Sequence, residues 1–326
     1  AAGPVWPGGV GPSMPTRYRP MPLNLPPVLC LMGPTASGKT ALAMALHARL
    51  PVDIISVDAS QVYRGMDIGT AKPSPADLLR VPHRLIDIRD AAEPYSAADF
   101  CTDALREIEA IHRAGRLPLL VGGSMFYFRA LEQGLSALPS ADPAVRTRLN
   151  QEAEREGWPV LHARLARLDP ASAARIRPTD AQRIQRALEV VELTGQPMPP
   201  VTPAARPPRF RFIKLAIYPA ERRILHRQIA QRYKAMLDAG LVAEVERLLQ
   251  RTDLTPDLPS MRTVGYRQVI AYLSGALGYQ EMVERGIIAT RQLAKRQLTW
   301  LRADRELHRL DAHDPVLLRS VLDYLA

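Results

Sequence analysis

The chain has 326 residues, of which 47% are hydrophobic and 23% charged, a composition typical of a globular protein large enough to bury a core. No uninterrupted apolar run approaches the roughly 20 residues that a bilayer-spanning helix requires, so we expect no membrane partner. The formal net charge of +10 suits a polyanionic partner such as nucleic acid, although a solvated basic surface gives the same balance.

The start of the chain and its two cysteines carry no sign of secretion or of metal binding. Residues 1–24 are rich in Pro and Gly and contain no apolar stretch like that of a secretory signal, which predicts a disordered tail. Cys30 and Cys101 lack metal-ligand or CxxC spacing, and we interpret both as small core residues. These features favour a protein of the reducing cytoplasm.

The first ordered segment predicts a strand, a phosphate-binding loop and a helix. The apolar run VLCLM ends at GPTASGKT, and apolar residues at helical spacing follow. In this loop pattern, glycines let backbone N–H groups surround an anion, Lys39 adds a cation and Thr40 can ligate Mg²⁺. The pattern indicates a diphosphate or triphosphate site but does not establish ATP. Its residues are Gly33, Pro34, Thr35, Ala36, Ser37, Gly38, Lys39 and Thr40.

The next segments repeat the buried-strand pattern and define the fold class. VDIISVD (52–58) and LPLLVGG (117–123) flank a helical segment, and RFIKLAIYP (211–219) and ELHRLD (306–311) are candidate later strands. Such alternation predicts an α/β fold, with a P-loop NTPase-like core whose parallel sheet is covered by helices on both faces.

A change of composition interrupts this core. Residues 138–179 have helical periodicity, many arginines and no convincing strand. We therefore predict a small all-helical insertion domain at 138–179, between core segments 25–137 and 180–326.

Two predicted strands end in residues suited to ligand chemistry. Because the carboxyl ends of parallel strands share one edge, Asp58 should lie beside the phosphate loop. It suits a turn cap, a Mg²⁺ ligand or a general base. The other strand ends in Gly122, Gly123 and Ser124, where a P-loop NTPase normally carries an acidic residue, and this weakens an ATPase interpretation. The glycines permit close approach of a ligand that Ser124 could contact, although plain turn chemistry explains them too.

Three basic segments complete the candidate surface. Each alone is compatible with a solvated face, but together they favour sites for RNA phosphates and a stacked base. They are Arg183 and Arg186 after a candidate N-cap at Asp180, Arg291 with Lys295 and Arg302, and Arg262 to Arg267 around Tyr266.

Eight blocks, in order, closely resemble the bacterial tRNA dimethylallyltransferases, also called tRNA isopentenyltransferases, and the resemblance covers nearly everything after Pro27. The blocks are GPTASGKTALA, DIISVDASQVYRGMDIGTAKP, PHRLIDIRD, YSAADF, LLVGGSMFYFRAL, DAQRIQRALEV, PSMRTVGYRQ and ATRQLAKRQLTWLR. The resemblance implies transfer of a dimethylallyl group from dimethylallyl diphosphate to the exocyclic amine of the adenosine just 3′ of a tRNA anticodon. It further implies Mg²⁺ as cofactor and the anticodon stem-loop as partner, and we expect a cytoplasmic monomer.

The resemblance also implies residue roles. Asp58 matches the general base, Thr40 the residue beside Mg²⁺, and Arg232 an arginine at the diphosphate. Ser124 stands where the family usually has Thr, so the hydroxyl contact with the reacting nucleotide is retained. The residue after this aspartate is more commonly Ser in the family, whereas this chain has Ala59. The implied tRNA contacts are Asp58, Ala59, Ser60, Gln61, Ser124, Arg146, Gln182, Arg183, Ile184, Gln185, Arg186, Arg262, Thr263, Val264, Gly265, Tyr266 and Arg267.

Two other functions remain compatible with the residue patterns. A P-loop kinase of a small metabolite or nucleotide shares the loop and the core fold, and predicts ATP turnover without RNA. An RNA-binding protein whose nucleotide site is only a switch predicts tRNA affinity without a covalent product.

Overall fold

The computed structural model describes residues 25–135, 138–199 and 209–325. The predicted tail at 1–24 lies outside these ranges. One six-stranded sheet with strand order β3-β2-β4-β1-β5-β6 forms the centre of the molecule, and every strand pair in it is parallel. The strands are β1 (Pro27–Met32), β2 (Val52–Val57), β3 (His83–Arg84), β4 (Leu117–Gly122), β5 (Arg211–Tyr218) and β6 (His308–Asp311). The predicted α/β class is confirmed, and the short strand β3 adds to the strands that the sequence indicated.

Helices connect the strands and cover both faces of the sheet. The helices are α1 (Lys39–His47), α2 (Pro75–Arg80), α3 (Ala97–Arg113), α4 (Met125–Gln133), α5 (Pro143–Glu156), α6 (Trp158–Leu168), α7 (Pro170–Ala173), α8 (Ala181–Thr194), α9 (Arg222–Asp238), α10 (Leu241–Leu249), α11 (Tyr266–Leu273), α12 (Tyr279–Ala303) and α13 (Leu317–Leu325). None of them is both long enough and apolar enough to cross a bilayer, within the described ranges.

Alternate residues of β1 belong to different hydrophobic clusters. Leu29 and Leu31 pack with Leu46 of α1 on one face of the sheet. Cys30 points to the other face, into the larger cluster that includes Phe100 of α3. Because successive side chains of a strand point to opposite faces, both faces of the central strands are buried, which explains their continuous apolar runs. The interpretation of Cys30 as a core residue is confirmed, whereas Cys101 is only half-buried.

A third hydrophobic cluster belongs to the inserted helices. Leu149 and Leu161 pack there with Ile184 and Leu188 of α8, all of them fully buried. The helical unit around this cluster therefore runs to the end of α8 at Thr194, beyond the boundary at residue 179 that the sequence indicated. The reason is that α8 directs its apolar face into the insertion and not onto the sheet.

A buried carboxylate ties the segment after β2 to the C-terminal helices. Glu244 of α10 is 2% exposed. It accepts hydrogen bonds from the backbone N–H groups of Asp67, Ile68 and Gly69, at 3.0, 2.8 and 3.1 Å. The hydroxyl of Tyr266 donates to the same carboxylate at 2.6 Å. These bonds compensate the burial of the charge and fix the 67–69 segment against α11.

Replacing Glu244 should destabilise the whole fold. In Glu244→Gln an amide NH₂ group faces backbone donors, so we expect a loss of about 3 kcal/mol in the free energy of unfolding, measured by urea denaturation. The control is Glu246→Gln, an exposed glutamate on the same helix, which should change stability little. Equal stability of the two variants would contradict this account of Glu244.

Candidate functional site

The phosphate loop connects β1 to α1 at the carboxyl edge of the sheet. Gly38 occupies the N-cap position of α1 with φ 86°, in the left-handed region, which glycine adopts without strain. No side chain caps the first turn of α1. The first N–H groups of the helix, and the positive end of its dipole, therefore remain for an anion.

Two half-buried cations accompany the loop. Lys39 donates from Nζ to the carbonyl of Pro34 at 2.7 Å, and Arg232 of α9 donates from Nη2 to Oγ1 of Thr35. Burial, and after it the charge of Arg232, lowers the pKa of Lys39 from 10.5 to about 7, while Asp58 opposes the shift. Burial also lowers the pKa of Arg232, again against Asp58. Two cations facing one carboxylate form a site that favours an anion.

Asp58 emerges at the end of β2 beside these cations. Its Oδ1 accepts from the backbone N–H of Ser60 at 2.9 Å, from the Ser60 hydroxyl at 2.6 Å and from the N–H of Gln61 at 3.4 Å. No hydrogen bond to Oδ2 occurs within the described residues. One oxygen thus acts as the turn cap, and the other is left for a ligand or a proton, so the cap and the functional interpretations are compatible.

Ser124 joins the end of β4 to the end of β2. Its Oγ accepts from the N–H of Ala59 at 3.0 Å, and its own N–H donates to Val57 at 3.2 Å. A Cβ on Gly122 would lie 2.0 Å from the carbonyl oxygen of Val57, so only glycine permits this approach of the two strand ends. The Ser124 hydroxyl retains its hydrogen for a ligand.

Gln297 of α12 is a site residue that the sequence analysis missed. Its Oε1 accepts from the N–H of Thr35 at 2.9 Å, and its Nε2 donates to the carbonyl of Gly123 at 2.9 Å. One side chain therefore links the phosphate loop to the β4–α4 turn that carries Ser124. Its only sequence signal is a polar residue at a helix position whose neighbours, Ala294 and Leu298, are buried.

These groups line one cavity of about 620 Å³, a size typical of small-molecule sites. The charged and hydroxyl-bearing residues of its wall include Lys39, Thr40, Asp58, Ser124 and Arg232. Apolar and aromatic side chains form other parts of the wall: Tyr127, Ile229, Tyr233, Met236, Leu293 and Trp300. The cavity thus combines an anion site with an apolar surface.

Part of the predicted tRNA surface lies at this cavity. Residues 58–61, Ser124 and residues 262–265 line it. Tyr266 does not, because its ring is fully buried and its hydroxyl donates to Glu244. The interpretation of Tyr266 as a base-stacking residue is therefore wrong for this conformation.

Two arginines of the helical unit that ends with α8 bind one buried acid. Glu189, which is fully buried, accepts from Arg146 at 2.8 Å and from Arg186 at 2.6 Å. Ile184 belongs to the core of the insertion. Arg183, with a 72% exposed side chain, is the better candidate for an RNA phosphate among these residues. None of these side chains lines the cavity.

The predicted stripe of α12 faces away from the site. Among the basic residues of this helix, Arg296 lines the cavity, whereas Arg291, Lys295 and Arg302 do not. The spacing did indicate one helix face, but packing turns the opposite face, with Gln297 and Trp300, toward the cavity.

The site residues fit a Mg²⁺ ion that is held mainly by a phosphate ligand. No group of three or more His, Cys, Asp or Glu that could hold a metal occurs within the described residues. Mg²⁺ at phosphate sites needs only one or two protein oxygens. Thr40 offers a hydroxyl in the first turn of α1, and the buried Oγ of Ser37 has no hydrogen-bond partner there.

Comparisons with known proteins agree on one family. The family model described as IPP transferase matches residues 61–304. The chain is 57% identical over 303 residues to the tRNA dimethylallyltransferase of Burkholderia ambifaria, covering 91% of this chain and 94% of that one. It is 60% identical over 283 residues to the enzyme of the same name from Burkholderia mallei, covering 85% and 87%.

Solved structures give the same result. A tRNA isopentenylpyrophosphate transferase from Bacillus halodurans superposes with a TM-score of 0.68 at 34% identity, over 93% of this chain and 96% of that one. A eukaryotic dimethylallyltransferase acting on tRNA gives a TM-score of 0.74 at 25% identity, over 92% and 78%.

Removing the Gln297 bridge should weaken anion binding at the loop. In Gln297→Leu the N–H of Thr35 loses its partner, and we expect the affinity for Mg²⁺-pyrophosphate to fall on the order of tenfold, measured by titration calorimetry. Gln292→Leu, at an exposed position of the same helix, is the matched control. An affinity that is unchanged in Gln297→Leu would mean that the bridge does not order the loop.

The pKa of Lys39 predicts a pH dependence of the same binding. A bound diphosphate raises the pKa of Lys39 above the value of about 7 that it has in the ligand-free protein. Above pH 7, Lys39 must therefore take up a proton when the diphosphate binds. Affinity should therefore fall as the pH rises from 7 to 9, and change less between pH 6 and 7. Because pyrophosphate itself titrates, the wild type is compared with Lys39→Arg, which keeps its charge. Identical profiles would exclude Lys39 as the titrating group.

Proposed function

The chain belongs to the IPP transferase family of tRNA dimethylallyltransferases, and we propose that it transfers a dimethylallyl group from dimethylallyl diphosphate to a tRNA. The acceptor is the exocyclic amine of the adenosine 3′-adjacent to the anticodon, and diphosphate is released. The observation that carries this proposal is the position of Asp58, which lines the same cavity as Lys39 and Arg232 and whose Oδ2 accepts no hydrogen bond within the described residues.

The donor diphosphate is assigned to the loop between β1 and α1. Backbone N–H groups of the loop surround it, and Lys39 and Arg232 neutralise the charge that grows on it as the bond to carbon breaks. Lys39 must exchange its hydrogen bond to Pro34 for one to the phosphate. Bound Mg²⁺, held at Thr40 with Ser37 close by, would add further charge stabilisation to the leaving group.

Asp58 provides the base for the acceptor. The amine nitrogen attacks the allylic carbon, the bond between that carbon and the diphosphate oxygen breaks with its electron pair on the oxygen, and the amine proton passes to Oδ2 of Asp58. Oδ1 stays hydrogen-bonded to Ser60, which holds the carboxylate in place. Ser124 contributes a hydroxyl to orient the nucleotide.

The apolar wall accounts for the prenyl group. An allylic carbon of carbocation-like character reacts with water unless water is excluded. Ile229, Met236 and Leu293 offer surface without hydrogen-bonding groups next to the diphosphate end. This part of the cavity therefore suits the five-carbon chain.

The target base must leave its stack to reach this cavity, which a loop permits more readily than a duplex. Exposed arginines at its rim, such as Arg262, and Arg183 on the insertion suit contacts to the phosphates of the anticodon stem-loop.

The alternative functions have less support. The names of the relatives and of the structural neighbours favour dimethylallyl transfer and not the kinase. Gly122 and Gly123 end β4 where a P-loop NTPase normally has an acid. An RNA-binding protein that catalyses no reaction does not require an aspartate with a free carboxylate oxygen beside two cations.

Removing the base should abolish transfer. Asp58→Asn keeps an oxygen for the amides of Ser60 and Gln61 but cannot take a proton, so we expect transfer to fall by about 10²- to 10⁴-fold with tRNA binding retained. The protein is incubated with Mg²⁺, dimethylallyl diphosphate and an unmodified anticodon stem-loop, and the nucleosides are weighed by mass spectrometry. Asp238→Asn, exposed at the end of α9, is the control.

The variant tests the role of Asp58, and the wild-type protein tests dimethylallyl transfer against the kinase function. Near-normal turnover by Asp58→Asn would refute the base assignment. Absence of product with wild-type protein, together with phosphoryl transfer from ATP, would favour the kinase.

A further inference from the structure

One peptide unit of the phosphate loop is held at both of its polar groups. The carbonyl of Pro34 accepts a hydrogen bond from Nζ of Lys39 at 2.7 Å. The N–H of Thr35 belongs to the same planar peptide unit and donates to Oε1 of Gln297 at 2.9 Å. A diphosphate that takes over the ammonium group of Lys39 leaves this unit with Gln297 and with the N–H of Ser37, which donates to the Pro34 carbonyl at 3.3 Å. Binding at the loop therefore changes the hydrogen bonding of the peptide that Gln297 contacts.

The amide of Gln297 links this peptide to the end of β4. Its Nε2 donates to the carbonyl of Gly123 at 2.9 Å. A Cβ on Gly123 would lie 2.4 Å from that nitrogen, so any larger residue here displaces the amide. A planar amide keeps its oxygen and nitrogen at a fixed separation, and Gln297 is only 8% exposed, so packing leaves it little freedom to turn. The two hydrogen bonds therefore depend on one orientation of one group.

The turn that follows β4 is bound to the segment that carries the proposed base. Ser124, the residue after Gly123, donates from its N–H to the carbonyl of Val57 at 3.2 Å and accepts at Oγ from the N–H of Ala59 at 3.0 Å. Val57 and Ala59 are the neighbours of Asp58 in the chain. One side chain thus stands between the loop assigned to the diphosphate and the residues assigned to the acceptor.

We propose that Gln297 is a positioning residue that couples the two substrates: a diphosphate at the loop aligns the turn of Gly123 and Ser124 for the acceptor RNA, and bound RNA aligns the loop for the diphosphate. This inference rests on the proposed function, because it takes the acceptor nucleotide to lie at Ser124. The coupling is reciprocal, since thermodynamic linkage requires each ligand to raise the affinity for the other by the same factor. Gln297 acts through the backbone groups that it holds and takes no part in the chemical step.

The test measures this coupling factor with Mg²⁺-pyrophosphate in place of the donor, so that no reaction occurs. The dissociation constant of a labelled, unmodified anticodon stem-loop is measured by fluorescence anisotropy with and without saturating Mg²⁺-pyrophosphate. The dissociation constant of pyrophosphate is measured by titration calorimetry with and without the RNA. The two ratios must agree, and each gives the coupling factor. Repulsion between the two anions lowers the factor in all variants alike, so the variants are compared with the wild type.

Three variants separate a coupling role from a structural one. Gln297→Met removes both hydrogen bonds and nearly keeps the length of the side chain, and we expect it to reduce the coupling factor on the order of tenfold. Gly123→Ala keeps Gln297 but displaces its amide, and should reduce the factor as well. Gln292→Met, exposed on the same helix, should keep the wild-type factor. A purely structural role of Gln297 would weaken the binding of each ligand alone and leave the ratio unchanged.

The outcomes distinguish this inference from the proposed function. Coupling factors in Gln297→Met and Gly123→Ala that equal the wild-type factor would overturn the inference. Failure of the proposed function is detected separately, because wild-type protein given dimethylallyl diphosphate and the same RNA would then form no prenylated adenosine. Product formation together with equal coupling factors would refute the role of Gln297 alone.

Discussion

Two half-buried cations and a single carboxylate share the carboxyl edge of the sheet, and the resulting excess of positive charge is the constraint around which the site is arranged. Lys39 and Arg232 reach this edge from different helices, and burial disfavours the charge on both of them. A bound anion neutralises this excess and keeps the proton on Lys39. The same positive charge stabilises the diphosphate more strongly as negative charge grows on it during the reaction. Binding of the diphosphate and its departure therefore depend on one electrostatic feature.

Hydrogen bonds from other parts of the fold hold these groups in fixed positions. Gln297 joins the loop to the β4–α4 turn, Ser124 joins that turn to the segment after Asp58, and Glu244 fixes the next part of that segment to α11. Each link uses a polar side chain to satisfy backbone N–H groups that regular secondary structure leaves without partners. The phosphate loop, the segment after Asp58 and the turn that carries Ser124 are therefore held together by a continuous set of hydrogen bonds.

The sequence indicates strand order along the chain and residues at strand ends, because apolar runs and the glycines of the loop are local patterns. It therefore predicts the parallel sheet and places Asp58 beside the loop. It does not indicate which side of α12 faces the site or that Glu189 engages Arg146 and Arg186, since these depend on packing between segments far apart in the chain. Tyr266 illustrates the limit, because an aromatic residue between arginines has the same local pattern whether its ring is exposed or buried.

The pairing of arginines with acids inside the insertion has a consequence for behaviour in salt. The 43 lysines and arginines of the chain include Arg146, Arg164 and Arg186, which are each already held by glutamates of the chain. A guanidinium that stays with its carboxylate displaces no counterion from RNA. The affinity for tRNA should consequently depend on ionic strength less steeply than the number of basic residues suggests, and recognition should rely more on shape and on bases drawn out of the loop.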